Sequence, residues 1–193
     1  TGDPETFLRH MLVATGDSKV TKKKVVREVR NRISSDDPTE KSRLSETFWE
    51  EMIAASSIYG QIVNPLESSE RGYRMMLLEK LSKSHRIALL GILLADFSDG
   101  DLDLLVRHIF VLSFRWAMAE GNAQQLEDFY QNICRNIRRG DSASSVLEQI
   151  REKNSEIKFD AFQFFDSEVD SGYETKVLLH AINRYVTSGS VAI

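Results

Sequence analysis

Apolar residues recur every three or four positions along most of the chain, and no run alternates with the period of two that marks a strand. After Pro4, residues Phe7, Leu8, Met11 and Leu12 share one face of a short helix that Gly16 terminates. Thr21 is placed to cap a second helix, with Val25, Val26, Val29 and Ile33 as its apolar stripe. The polar stretch SSDDPTE reads as a loop, and Leu44, Phe48, Met52, Ala55 and Tyr59 then keep helical spacing up to Pro65. A capping serine opens a fourth helix through Tyr73, Met76, Leu77 and Leu81. The fifth, from about His85 to Phe97, is apolar on all sides, the mark of a helix at the centre of a bundle.

SDGD re-caps a sixth helix, Leu102 to about Ala119, with Leu105, Ile109, Leu112 and Trp116 in register. A turn at Gly121 and Asn122 leads into a seventh, with Leu126, Phe129, Tyr130, Ile133 and Ile137 inward and Gly140 at its end. Ser144 or Ser145 begins a shorter helix carrying Val146, Leu147 and Ile150. The aromatic stretch FDAFQFF is expected to lie back over the bundle, a last helix to run from Tyr173 to Val186, and the tail TSGSVAI to be loosely held. The pattern predicts an all-α protein, an irregular multi-helix bundle of about eight to nine helices. Residues 1–193 form a single helical domain or two lobes dividing near 65–70, and no repeat period supports a solenoid.

Composition narrows this picture without changing it. A chain of 193 residues that is 41% hydrophobic buries a substantial core without covalent staples. Cys134 is the only cysteine, which excludes an intramolecular disulfide and four-cysteine zinc sites and fits a reducing, cytoplasmic setting. The most apolar run, Ile87 to Phe97, is too short to span a membrane. The start, TGDPETFLRH, has no initiator methionine and no signal-peptide pattern, so the chain reads as a piece of a longer multidomain polypeptide.

Candidate chemistry is sparse. No phosphate-binding loop, dinucleotide fingerprint, nucleophile elbow or HExxH pair occurs. His10, His85, His108 and His180 are scattered over separate helices and read as packing or surface histidines. Cys134 lies near Arg135 and Arg138, which would lower a thiol pKa, but its position at the edge of an apolar face favours burial. Asp99 with Asp101 suits a helix start, and Glu50 with Glu51 a solvated helix face, better than either pair suits metal or acid–base work. The sequence therefore predicts no catalytic, cofactor-binding or metal-binding residue.

One segment departs from the acidic balance of the chain, whose net charge is −4. In SKVTKKKVVREVRNR, seven of fifteen residues are cationic against a single acid. Lys23, Arg27 and Arg30 recur at spacings of four and three, which places them on one helix face. Lys22, Lys23, Lys24, Arg27, Arg30 and Arg32 are the candidate DNA contacts, because positioned cations supply affinity for phosphates. The same ridge would equally suit a solvated face or an acidic protein neighbour. Arg115, Arg135, Arg138 and Arg139 are secondary candidates, with an alternative role in binding the last carbonyls at helix ends.

Three ordered blocks carry a resemblance. ETFLRHMLVATGDSKVTKKKVVREVRNRI, AASSIYGQIVNP and FRWAMAEGNAQQLEDFYQNICRNIRRG are similar to the helical middle region of GmrSD-type modification-dependent restriction nucleases, including phosphorothioate-sensing members. ETKVLLHAINRYV resembles the helix that leads into the nuclease domain of that family. The resemblance implies a helical connector between an N-terminal ParB-like nucleotide-binding domain with a DGQQR-type motif and a C-terminal HNH nuclease. Neither motif is present, so no catalytic residue carries over, and nucleotide and divalent metal belong to neighbouring domains. The implied role is in phage defence: coupling sensor to nuclease, with basic helices touching the DNA backbone. The alternative is a helical protein-interaction or scaffold domain with no nucleic-acid role.

Overall fold

The computed structural model describes residues 3–16, 19–66, 68–119 and 121–157. Within them the chain forms eight α-helices and no strand: α1 (Pro4–Thr15), α2 (Val25–Ile33), α3 (Pro38–Val63), α4 (Glu70–Leu81), α5 (His85–Leu94), α6 (Asp99–Met118), α7 (Ala123–Arg138) and α8 (Ala143–Ser155). The expected all-α bundle is what the chain adopts. The FDAFQFF stretch, the Tyr173–Val186 helix and the tail lie outside the described residues.

Local chemistry sets most helix starts. Asp3, Asp37, Ser69, Ser98, Asn122 and Ser142 each accept a backbone N–H from the first turn of the helix that follows. Such caps contribute about 1 kcal/mol apiece. Four starts differ from the sequence reading, and one of them is α6, which begins at Asp99 within SDGD rather than at Leu102. Pro38 occupies the first turn of α3 behind its Asp37 cap, so the helix takes in residues assigned to the polar loop. Ser142 rather than Ser144 or Ser145 caps α8. The side chain of Thr21 makes no cap; Lys22–Lys24 form a 3-10 turn first, and α2 begins at Val25.

Helix α5 lies at the centre, buried without interruption from His85 to Ile92 and packed against α1, α3, α6 and α7. Helices α4 and α8 close on α6, and α2 lies across α1 and α3. One hydrophobic cluster draws residues from all eight helices, on both sides of positions 65–70.

The α6–α7 corner shows how sequence shapes a turn. The indole of Trp116 lies where a Cβ on residue 121 would be, which makes glycine the residue that fits there. Its Nε1 donates to the Asn122 carbonyl at 3.2 Å, and the ammonium of Lys153 sits 5.5 Å from the ring centroid. Trp116 is thus half-buried packing against the helix that follows, as its inward register implies.

Candidate nucleic-acid interface

Helix α2 divides its residues between two faces. Stepping 100° per residue, Val25, Glu28, Val29, Arg32 and Ile33 fall on the arc that meets the bundle. Val26, Arg27, Arg30 and Asn31 fall on the opposite arc and are exposed. Val26 is 64% exposed, so the expected apolar stripe is narrower by one residue. The 3-10 turn before α2 leaves Lys22, Lys23 and Lys24 exposed as well.

These cations differ in what they already hold. Lys22 lies 3.9 Å from Asp3, and Lys19 pairs with Asp128 at 2.5 Å. Among the described residues, Lys23, Lys24, Arg27 and Arg30 make no hydrogen bond or ion pair. Arg32 is turned inward: it donates to the Leu12 carbonyl at 3.0 Å and to Thr15 Oγ1 at 2.8 Å, and its Nη1 is 3.4 Å from Glu51.

The two arginines at the end of α1 have a common cause. Helix α1 has no basic residue in its last turn, so its terminal carbonyls need cations from elsewhere. Arg32 from α2 supplies one; Arg138 from α7 supplies the other, donating to Ala14 O at 2.6 Å and to Gly16 O. A Cβ at position 16 would collide with the Arg32 guanidinium, so glycine leaves room for the clamp. Arg138 is available for this because α7 closes its own end in another way. Gly140 has φ +98°, the Asp141 N–H reaches Asn136 O at 3.1 Å, and the Gly140 N–H reaches Ile137 O at 3.0 Å, a Schellman motif.

Arg115 likewise serves a foreign helix end, donating to Asn154 O at 3.1 Å and Ile157 O at 3.2 Å beyond the last turn of α8. Arg135 donates to Asn132 Oδ1 at 2.9 Å, and Arg139 is exposed at the C-cap of α7. The structure therefore gathers Lys23, Lys24, Arg27 and Arg30 on one outward surface, and commits Arg32, Arg115 and Arg138 to backbone carbonyls.

A second cluster has no counterpart in the sequence reading. The carboxylate of Glu79 on α4 receives Arg86 through Nε at 2.7 Å and through Nη2, and lies 3.0 Å from His85 Nε2. Arg86 also donates to the Tyr59 hydroxyl at 3.2 Å, and that hydroxyl is 2.9 Å from His10 Nδ1. The hydroxyl has one proton to give and two lone pairs to accept with, so it can accept from Arg86 while bonded to His10 in either tautomer of the imidazole. The network ties α1, α3, α4 and α5 together.

Its titration follows from its burial. Burial, with Arg9 and Arg86 nearby, pushes His10 down to about 3. Burial also lowers His85, against the pull of Glu79. Burial alone would raise Glu79, but hydrogen bonds from His85 and Arg86 outweigh it and hold the carboxyl at about 2. The signal was Arg86 itself: a charged residue in the most apolar helix must find a partner. None of the five residues lines the pocket beside Arg71 or the one at the C-terminal ends of α1, α5 and α7.

Cys134 is buried, its thiol directed at Ile87 O over 3.3 Å and pushed up to about 12 by burial, which fits a small core residue rather than a nucleophile. Asp99 and Asp103 pair with Arg71 across α4 and α6. Among the described residues no group of three or more His, Cys, Asp or Glu side chains is placed to hold a metal ion, and no helix is long and apolar enough to cross a membrane. Among the described residues the chain is thus an all-α bundle with an outward basic surface on α2 and the turn before it. No protein-family model, curated protein or solved structure matches it.

Proposed function

We propose that this chain is a non-catalytic helical module that meets the phosphate backbone of DNA through Lys23, Lys24, Arg27 and Arg30. The observation that carries the reading is their combined exposure and lack of an acidic partner among the described residues. Unpaired cations on a rigid helix face keep their full charge for an anionic ligand, whereas Arg32, Arg115 and Arg138 would have to abandon carbonyls first. Phosphate contacts of this kind position a protein on DNA without reading its sequence.

The ordered blocks that resemble GmrSD-type restriction nucleases support a more specific role: a cytoplasmic phage-defence protein in which this bundle couples a nucleotide-binding sensor domain to an HNH nuclease. A second reading, docking onto a protein, is favoured by Trp49 and Ile53, which stand 58% and 65% exposed one turn apart on the outer face of α3.

Titration of duplex DNA at graded salt tests the first reading. Binding is expected at low salt, with log K falling linearly in log salt. The triple variant Lys23→Ala, Arg27→Ala, Arg30→Ala is expected to flatten that slope by roughly 0.9 per lost phosphate contact. Absence of binding at low salt, or an unchanged slope in the variant, rejects the DNA contact. A pull-down with the flanking domains of the parent protein then tests the docking reading.

A further inference from the structure

A cavity of about 490 Å³ opens where α1, α5 and α7 reach their C-terminal ends, with α3 as a fourth wall. That volume is in the range of sites for small organic ligands. Leu94, Phe97 and Ile137 are half-buried along it and Cys134 lies beneath, so the floor is apolar. Polar groups are confined to Thr15, Glu51, Asp96 and Arg138.

The charge around the opening is unevenly settled. Each helix C-terminus carries about half a negative charge. The end of α1 is met by Arg32 and Arg138, and α7 carries Arg135 in its own last turn. Glu51 faces Arg32. The end of α5 has no such relief: its last turn holds no basic residue, and Asp96 follows two residues after Leu94. Asp96 is exposed and makes no hydrogen bond or ion pair with any described residue. The start of α6 does not balance it, because Asp99 and Asp101 already occupy that first turn. A carboxylate at the negative pole of a helix, with no partner among the described residues, lies where the helix dipole opposes its charge.

We propose that this cavity binds a small organic cation, a primary ammonium on an apolar body. The ammonium lies at Asp96 and the end of α5, and the body covers Phe97 and Ile137. The site is independent of the basic surface on α2.

Titration of the full chain with 2-phenylethylammonium at constant ionic strength, followed by backbone chemical shifts, tests it. Saturable binding with a Kd on the order of 1 mM is expected, with shifts centred on Ala95, Phe97 and Ile137. The neutral analogue 2-phenylethanol is expected to bind more weakly and 3-phenylpropionate not at all. Asp96→Asn, an exposed substitution, is expected to weaken the amine roughly threefold and leave the alcohol unchanged. No saturable binding of the amine overturns the proposal, as does equal binding of the alcohol, preference for the carboxylate, or indifference to Asp96→Asn.

Discussion

The charged side chains around Glu79 and those on the outer face of α2 lie in one bundle under opposite conditions. Arg86 and His85 are buried; the charges of Arg86 and Glu79 meet within hydrogen-bonding distance and His85 Nε2 meets the same carboxylate, while His85 Nδ1 has no partner among the described residues. Lys23, Lys24, Arg27 and Arg30 stand in solvent and make no ion pair among the described residues. Desolvation explains the contrast. A buried charge without its partner costs several kcal/mol, so the interior admits charges only as closed sets. Water screens an exposed charge, so α2 and the turn before it can carry these four without compromising the fold. The first set therefore holds the helices together, and the second is left facing solvent.

Removing one partner from the closed set should have the largest effect. Glu79→Ala leaves Arg86 and His85 buried beside α4 without their acceptor, and a loss of about 3–5 kcal/mol is expected from the urea midpoint at pH 7. A loss below about 1 kcal/mol would mean that water reaches Arg86 and that the network is not closed.

Acid should open the same set without mutation. His10 is held at about 3 in the folded chain against an ordinary 6.5, and His85 is lowered too. Between those values the unfolded chain binds protons that the folded chain does not, so stability is expected to fall as pH drops below 6.5. The slope is about 1.4 kcal/mol per pH unit for each histidine that is fully neutral when folded. Glu79, depressed from 4.5 to about 2, adds a further loss as pH falls below 4.5. Chemical denaturation at several pH values checks the sign. Flat stability from pH 7 to 5 would show that His10 and His85 titrate freely. The His10→Gln variant is expected to remove part of the slope.

Helix existence was legible in the sequence because it depends on neighbours three or four residues apart and on side chains adjacent to each start. The spacing of Leu44 to Tyr59, the apolar run of α5 and the Asn122 turn are all local facts. The roles of the arginines were not. Arg32 meets Leu12 across 20 residues, Arg115 meets Asn154 across 39, and Arg138 meets Ala14 across 124. A cation near a helix end suits its own helix in sequence, yet here each serves another, because packing decides whose carbonyls are close. The His10–Tyr59 bond spans 49 residues and was invisible for the same reason. The basic ridge was legible because it follows from spacing along one helix, although its last member, Arg32, turns inward.

That division within α2 gives a more local contrast. Arg30 and Arg32 are two residues apart, one exposed and unpaired, the other donating to Leu12 O and Thr15 Oγ1. Arg32→Ala is expected to cost about 1–3 kcal/mol, because the carbonyl at the end of α1 loses a charged donor in a part-buried setting. A thermal or urea titration of the single variant measures it. Equal, small effects at positions 30 and 32 would show that water replaces the guanidinium and that the clamp contributes nothing.

The smallest effect should carry the opposite sign. Arg27 and Arg30 are like charges three residues apart in α2, and such a pair weakens a helix by about 0.2–0.5 kcal/mol. Arg27→Ala removes this repulsion and places a better helix former on an exposed position. It is therefore expected to raise the urea midpoint slightly at low ionic strength, and the electrostatic part of that gain should vanish at about 1 M salt, where the screening length is roughly 3 Å. If Arg27→Ala destabilises the chain instead, Arg27 holds an acid outside the described residues. The excess positive charge of α2 would then already be spent within the chain, leaving Lys23, Lys24 and Arg30 as the surface to test against DNA.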